Sequence, residues 1–201
     1  ILCSAELGID IFTIFSSVLG GRMTNSKRIF DLIIALILSM ILLPVMIAIA
    51  ILVVVKDGRP VFYISERMKS PSQSFFLIKF RTMKFDANDC GASGGDKNAR
   101  ITMIGHFLRR TRLDEIPQLW NVIKGDISFV GPRPPLRTFV VRFPEIYESV
   151  LRSRPGITGL ASIYFHAHEE WLLKDSESAE ETNEVYSRLL EKDFSHWKRA
   201  V

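Results

Sequence analysis

From Phe30 to Val55 the chain carries a single charged residue, Asp31, in a run of 26 residues dominated by Ile, Leu and Val. As a helix this run is about 39 Å long, more than the ~30 Å hydrocarbon core of a bilayer. A helix so long and so apolar on every face has no place inside a small soluble domain, so the run belongs in lipid. Pro44 lies in its middle, where it removes one amide hydrogen bond and crowds the preceding turn, and Ser39 is close enough to bond a freed carbonyl. Lys27 and Arg28 precede the run, and Lys56 and Arg59 follow it. Basic residues favour the cytoplasmic side of a membrane, and a simple kinked span would send one pair outside. The expectation is therefore a re-entrant helix-break-helix that enters and leaves by the cytoplasmic face.

A chain of 201 residues holds one domain with a real core. Its hydrophobic share of 47% is ordinary, but so much of it sits in the apolar run that the remainder is fairly polar. The formal net charge is +4, with the basic excess between Arg22 and Arg142 and an acidic stretch from Glu169 to Glu191. The basic part should face phosphates, either lipid head groups or a charged substrate. Cys3 and Cys90 make neither a multi-bridge framework nor a zinc pattern, which points to a reducing compartment. Residues 1–22 are expected to be a leader or an extraneous remnant before Met23; the alternative is an amphipathic helix carrying Ile9, Ile11, Phe12, Phe15 and Val18 on one face. The expected division is residues 1–22, a membrane hairpin over 23–57, and a cytoplasmic catalytic domain with interfacial helices over 58–201.

Pro60 to Ser65 and Ser74 to Lys79 read as a strand pair joined by a loop that includes Lys69 to Gln73. Asp86 to Asn98, with Gly91, Gly94 and Gly95, reads as a mobile loop whose spacing fits neither a P-loop nor a dinucleotide fingerprint. From Ile101, the residues Ile104, Phe107 and Leu108 recur at helical spacing with Arg109, Arg110 and Arg112 between them, an amphipathic basic helix suited to a membrane surface. A second helix is expected over Asp114 to Lys124, stopped by Gly125, with Asp114 and Glu115 in its first turn. Further helices are expected from Pro144 to Arg152 and from Ala179 to Lys192. The class is α+β, mainly helical: a re-entrant membrane element, interfacial helices and a small β-hairpin around a cytoplasmic active site.

Adjacent carboxylates at a helix start gain from the macrodipole and from unpaired amides, so at least one stays ionised at neutral pH, and an ionised Asp can attack phosphorus. Taken alone, Asp114 and Glu115 read as a helix cap. Gly131-Pro132-Arg133-Pro134-Pro135 changes the weighing, because prolines on both sides hold Arg133 on a stiff backbone with its planar fork aimed at an oxyanion.

The chain resembles the bacterial sugar transferases, also called small monotopic phosphoglycosyl transferases. The resemblance rests on Lys27-Arg28-Ile29-Phe30-Asp31, Lys79-Phe80-Arg81-Thr82-Met83, Leu113-Asp114-Glu115 through Asn121, Lys124-Gly125-Asp126 through Gly131-Pro132-Arg133-Pro134, and Arg154-Pro155-Gly156-Ile157-Thr158-Gly159. It implies transfer of a sugar 1-phosphate from a nucleotide-diphosphate sugar, commonly a UDP-sugar, onto polyprenyl (undecaprenyl) phosphate at the cytoplasmic face of the bacterial inner membrane, by a monotopic protein that could form a homodimer. It further implies that Asp114 is the covalent nucleophile, that Glu115 helps bind Mg²⁺, and that Arg133, with Pro132, Lys79 and Arg81, contacts substrate. Those roles agree with what phosphoryl transfer between polyanions requires: fixed cations, a metal and an in-line nucleophile. Where family members often place a small polar residue before the hairpin proline, this chain has Leu43.

Lesser signals read as structure. His166 and His168 diverge on a helix and suit packing or substrate contact better than a metal, Trp120 and Phe129 read as core, and Cys90 needs no redox role. A non-catalytic membrane scaffold is the rival reading. Binding of nucleic acid is not expected, given the apolar run and the lack of aromatics among the arginines.

Overall fold

The computed structural model of the chain describes residues 23–84 and 99–158. They form a long helix α1 (Asn25–Asp57), a hairpin of β1 (Phe62–Ser70) and β2 (Gln73–Phe80), helix α2 (Met103–Thr111), a 3₁₀ turn (Leu113–Glu115), helix α3 (Gln118–Lys124), strand β3 (Ser128–Val130), helices α4 (Arg137–Arg142) and α5 (Pro144–Val150), and strand β4 (Gly156–Thr158). This is the expected mixed, mainly helical class with one long apolar helix near the N-terminus. Residues 1–22, the loop Asp86 to Asn98, His166, His168 and the helix expected over Ala179 to Lys192 lie outside the described residues.

Helix α1 begins where the Thr24 hydroxyl accepts the Lys27 amide at 3.2 Å and ends at Gly58, whose φ of +76° suits glycine. Its 33 residues correspond to about 50 Å of straight helix. The helix runs through Pro44 with no assigned interruption, so the two halves expected around a break form one helix with a proline inside it. A proline costs a ladder bond but a helix can absorb it by bending. Lys27, Asp31, Ala35, Ile49 and Val53 are buried, and Leu38, Leu42 and Met46 are half-buried between them. Spacings of three and four put all eight on one face, turned toward the rest of the protein. The other face is bare apolar surface, with Met40 79% and Val55 71% exposed. That much contiguous hydrocarbon is tolerated against lipid, not water.

Both ends of α1 are fastened to the same polar body. At the start, Lys27 Nζ donates to the Val130 carbonyl at 3.0 Å, Arg28 donates to the Val122 and Ile123 carbonyls at 2.6 and 2.8 Å, and Asp31 accepts the Ser128 hydroxyl at 2.8 Å. At the finish, Thr102 donates to the Asp57 carboxylate at 2.8 Å, and Ile49 and Val53 pack in a cluster with Phe80 and Leu108.

The hairpin pairs Phe62 with Phe80 through Ser70 with Gln73, with a bulge near Met68. Its strands are longer than expected and the loop shrinks to a turn at Pro71 and Ser72, because the Ser70 hydroxyl accepts the Gln73 amide at 3.1 Å and proline presets the turn. Phe75 and Leu77 join Ala35, Val122 and Ile127 in the central cluster. The remaining edge of β2 is covered by one side chain. The Asn121 amide accepts from Ile78 N at 3.2 Å and donates to the Phe76 carbonyl at 2.8 Å, doing what a neighbouring strand would do.

Strands β3 and β4 run parallel for a few residues, Ser128 beside Gly156 and Val130 beside Thr158. Gly131 and Gly156 approach so closely that a Cβ on either would overlap the other segment's backbone. This is the physical need behind the glycines of the two proline-flanked motifs. Met68, Phe139, Val140, Tyr147 and Leu151 make a third cluster, which seats α4 and α5 against β1. Helix α5 follows the expected proline start; α4 had no counterpart in the sequence reading. Trp120, expected in the core, is 61% exposed, since its helix turns Leu119 and Val122 inward.

Candidate active site

The helix expected over Asp114 to Lys124 starts later. Pro117 offers no amide, so the α-helical ladder is set up only from Gln118, and the carboxylate pair occupies the preceding 3₁₀ turn. Arg112 links α2 to this turn in the left-handed conformation, at φ +57° and ψ +16°. The sharp corner places Asp114 inside, 8% exposed, with Glu115 half-buried beside it.

Glu115 forms one wall of a cavity of about 550 Å³. Lys79, Arg67, Arg112 and Arg133 supply cations to this cavity, and Leu42, Leu77, Ile116, Leu119, Phe129 and Ile157 supply apolar surface. Lys79 Nζ meets Glu115 Oε1 at 2.7 Å, with both side chains largely buried. Asp114 does not line the cavity. It is within the electrostatic reach of Lys79, Arg109 and Arg112, and its Oδ1 is buried without a hydrogen-bond partner.

Burial pushes the Asp114 carboxyl above the usual aspartate range; Glu115 adds to the rise, while Lys79, Arg109 and Arg112 oppose it. Burial presses Glu115 the same way, but the Lys79 ammonium, helped by Arg133 and Arg112, outweighs it and holds Glu115 below the usual range. For Lys79 burial wins, and Arg133 adds to the fall, against the pull of Glu115. The two partners shift in ways that favour opposite charge states for the pair. The short contact and the extra cations around Glu115 make the ion pair the governing form. Two neighbouring carboxyls are thus driven apart, one desolvated and poorly satisfied, the other ionised and paired.

Four of the expected site residues, Glu115, Lys79, Arg133 and Asp114, come together. Others have different work. Arg81 was expected on substrate, but its guanidinium caps the end of α1, donating to the Asp57, Gly58 and Arg59 carbonyls at 2.6, 2.7 and 3.0 Å. It borders a separate cavity of about 260 Å³. Pro132 holds the β3–β4 junction, its carbonyl accepting the Gly156 amide at 2.9 Å, and it is Pro134 that reaches the cavity. Of the arginines expected along head groups, Arg110 is exposed, whereas Arg109 turns inward to Thr82 Oγ1 at 3.0 Å and Met83 Sδ at 3.1 Å. Arg112 belongs to the cavity, because the left-handed corner takes it off the face that helical periodicity assigns. Arg67, Gln118 and Leu42 were missed altogether. The alternation of β1 offered a signal for Arg67, two residues from buried Ser65; Leu42 had none.

Glu115, with the neighbouring Asp114, is the carboxylate that would hold a divalent cation of the magnesium type. Such an ion takes one or two carboxylates and completes its shell with substrate phosphate oxygens and water. The Asp114 Oδ1 is buried without a hydrogen-bond partner, and among the described residues no cluster of three or more Asp, Glu, His or Cys side chains offers an all-protein metal site.

Residues 22–188 match the family model for bacterial sugar transferases. A Bacillus subtilis (strain 168) protein, provisionally named an undecaprenyl-phosphate N-acetylgalactosaminyl 1-phosphate transferase, is 44% identical over 61% of this chain and 69% of its own length. An Aeromonas hydrophila UDP-N-acetylgalactosamine-undecaprenyl-phosphate N-acetylgalactosaminephosphotransferase is 36% identical over 68% of the chain and 33% of its own length. The UDP-glucose:undecaprenyl-phosphate glucose-1-phosphate transferase of Escherichia coli (strain K12) is 32% identical over 94% of the chain and 41% of its own length. The chain thus spans about two thirds of the Bacillus protein and well under half of the other two. With the family model covering most of the sequence, including the carboxylate pair and both proline-flanked motifs, the chain belongs to the bacterial sugar transferase family.

Proposed function

We propose that this protein transfers a sugar 1-phosphate from a UDP-sugar to undecaprenyl phosphate through a covalent intermediate on Asp114. The observation that carries the proposal is a buried Asp114 oxygen without a partner, next in the chain to Glu115, which lines a cation-rich cavity. The names of the relatives support the donor and acceptor classes.

In the first half-reaction a carboxylate oxygen of Asp114 attacks the sugar-bearing phosphorus. The phosphoanhydride bond breaks and the nucleoside monophosphate leaves with the electron pair. In the second, an oxygen of the lipid phosphate attacks the same phosphorus, the acyl-phosphate bond breaks, and the carboxylate is restored. Arg133, Arg112 and Lys79 offset repulsion between the two polyanions. The desolvation that raises the Asp114 carboxyl leaves its ionised form under-solvated and therefore reactive. Glu115, with Asp114, would hold Mg²⁺, which supplies charge neutralisation at the diphosphate. The scheme requires the Asp114 side chain to turn into the cavity that Glu115 lines.

The membrane arrangement proposed is re-entrant. A helix crossing the bilayer delivers its ends to opposite sides, whereas both ends of α1 bond one polar body. Lys27 and Arg28 at one end and Lys56 and Arg59 at the other are the basic flanks that support a cytoplasmic face for that side. The protein is thus monotopic in the inner membrane, and the bare face of α1 holds the cavity at the level of lipid phosphates.

The test uses the purified full chain with a panel of UDP-sugars, undecaprenyl phosphate and Mg²⁺. Release of UMP together with a sugar-diphospholipid, lost in Asp114→Asn, supports the proposal. No UMP with any donor in the panel contradicts it and favours the non-catalytic scaffold.

A further inference from the structure

The bond between Lys79 Nζ and Glu115 Oε1, at 2.7 Å, is largely withdrawn from solvent, the two side chains being 20% and 18% exposed. It ties the carboxylate proposed to hold Mg²⁺ to a cation that competes for the same oxygens. The backbone of Lys79 is fixed in the hairpin, where it pairs with Tyr63, so any exchange of partner falls to its side chain. Lysine suits such an exchange. A point charge on a flexible four-carbon stem swings between acceptors, whereas an arginine fork clamps both oxygens of a carboxylate.

The charge around the cavity points the same way. Four cations, Lys79, Arg67, Arg112 and Arg133, line it against one carboxylate, Glu115, among the described residues. Before substrate enters, that surplus repels a bare dication. The diphosphate of the donor is a polyanion that reverses the balance, and it offers Lys79 another partner. We propose that Lys79 is a place-holding cation on Glu115, drawn off by the donor's diphosphate, so that the divalent ion takes the carboxylate only together with the donor. No covalent bond changes in this exchange: the ammonium keeps its protons and trades one anionic oxygen for another. The inference rests on the proposed function and concerns the coupling of metal and donor binding, not the chemistry that follows.

Binding measurements separate this role from that of a structural ion pair. The full chain in detergent micelles would be titrated with Mn²⁺, which shares the oxygen-ligand preference of Mg²⁺, the free ion being read by its electron paramagnetic resonance signal. UDP would be titrated separately, in EDTA, by calorimetry. A charge-assisted bond of this kind is worth on the order of tenfold to a hundredfold in an equilibrium constant. Without nucleotide, Lys79→Met should therefore bind Mn²⁺ about tenfold or more tighter than wild type. In EDTA it should bind UDP about tenfold more weakly, an effect of opposite sign. Arg133 acts on Glu115 through charge alone, so Arg133→Met should weaken UDP while tightening Mn²⁺ far less. Lys79→Gln keeps a donor for Glu115 without the charge and should tighten Mn²⁺ as Lys79→Met does; it carries the test if Lys79→Met does not fold. An unchanged Mn²⁺ affinity in the folded Lys79 variants, or an equal gain in Arg133→Met, overturns the place-holder. So does a wild type that binds Mn²⁺ as tightly before UDP as after it. Absence of Mn²⁺ binding in every protein, with UDP and without it, would instead overturn Glu115 as the residue that holds the metal, and the place-holder with it.

Discussion

Replacing Asp114 by Asn should abolish activity and at the same time stabilise the fold. Asp114 is 8% exposed, one of its oxygens is buried without a partner, and burial outweighs its neighbouring cations in setting its protonation. A buried acceptor left unsatisfied costs about 1–3 kcal/mol. Asn keeps the shape and leaves that polar atom unsatisfied, so the gain is relief of the ionisation penalty alone, offset by the lost attraction of Lys79, and a net stabilisation of about 1 kcal/mol is expected. In a chain of this size that corresponds to a rise of about 2–4 °C in Tm. The pH dependence has a definite sign. Because the folded carboxyl titrates above its unfolded value, the folded state pays for ionisation at every pH above the folded pKa. That penalty fades as pH falls through the folded pKa and is gone below the unfolded one. The gain in Asp114→Asn should therefore be full at pH 8 and vanish toward pH 4. Thermal unfolding of both proteins in detergent without divalent cations, at pH 8, 6 and 4.5, measures it. A variant less stable than wild type at pH 8, or a difference that grows on acidification, would refute the assignment of a strained, desolvated carboxylate.

Lys79→Met leaves Glu115 buried without its partner, so the Glu115 carboxyl, now held low, should move up. Lys79 also lowers the Asp114 carboxyl, so loss of its cation should move the acid limb of the pH–activity profile to higher pH, and an unmoved limb would show that Lys79 supports the ionisation of neither carboxylate. Asn121 is 1% exposed and bonds Ile78 N and the Phe76 carbonyl, so Asn121→Ala removes two part-buried hydrogen bonds, at about 1 kcal/mol each. A melting temperature within a degree of wild type would contradict that role. Gly125 has φ +89°, and a Cβ there would lie 3.1 Å from Arg28 Nη2, the nitrogen that bonds the Ile123 carbonyl. Gly125→Ala should cost about 1–2 kcal/mol in backbone strain, read by denaturant unfolding, and Gly125→Asn should cost less, Asn being better tolerated in that conformation.

What could be read from residues alone was whatever depends on local pattern. The apolar length of α1, the basic amphipathic α2, the proline start of α5 and the stop at Gly125 all follow from periodicity or backbone chemistry. What escaped depends on contacts between distant segments. Lys27 and Arg28 read as topology signals, yet Arg28 also caps α3 and Lys27 bonds the Val130 carbonyl, about a hundred residues on. Arg81 and Arg109 read as ligand or lipid groups because a sequence shows their charge but not the carbonyls and hydroxyl that absorb it. Helix α4 is short and rich in Thr, Phe and Val, poor helix formers that are helical only because Phe139 and Val140 pack on Met68 and Tyr147. Arg112 entered the site through one left-handed residue, which no helical wheel represents.

The central claim is that Asp114 takes the phosphosugar onto itself, and the mass of the protein reports on this directly. Full-length chain mixed with Mg²⁺ and each of a panel of UDP-sugars, without lipid acceptor, would be quenched in acid and measured by intact-mass spectrometry. The account requires a species heavier by one phosphosugar in the wild type, absent in Asp114→Asn and discharged when undecaprenyl phosphate is added. A wild type that turns over a UDP-sugar with acceptor yet never carries the adduct, or an Asp114→Asn protein that does carry it, would contradict the account.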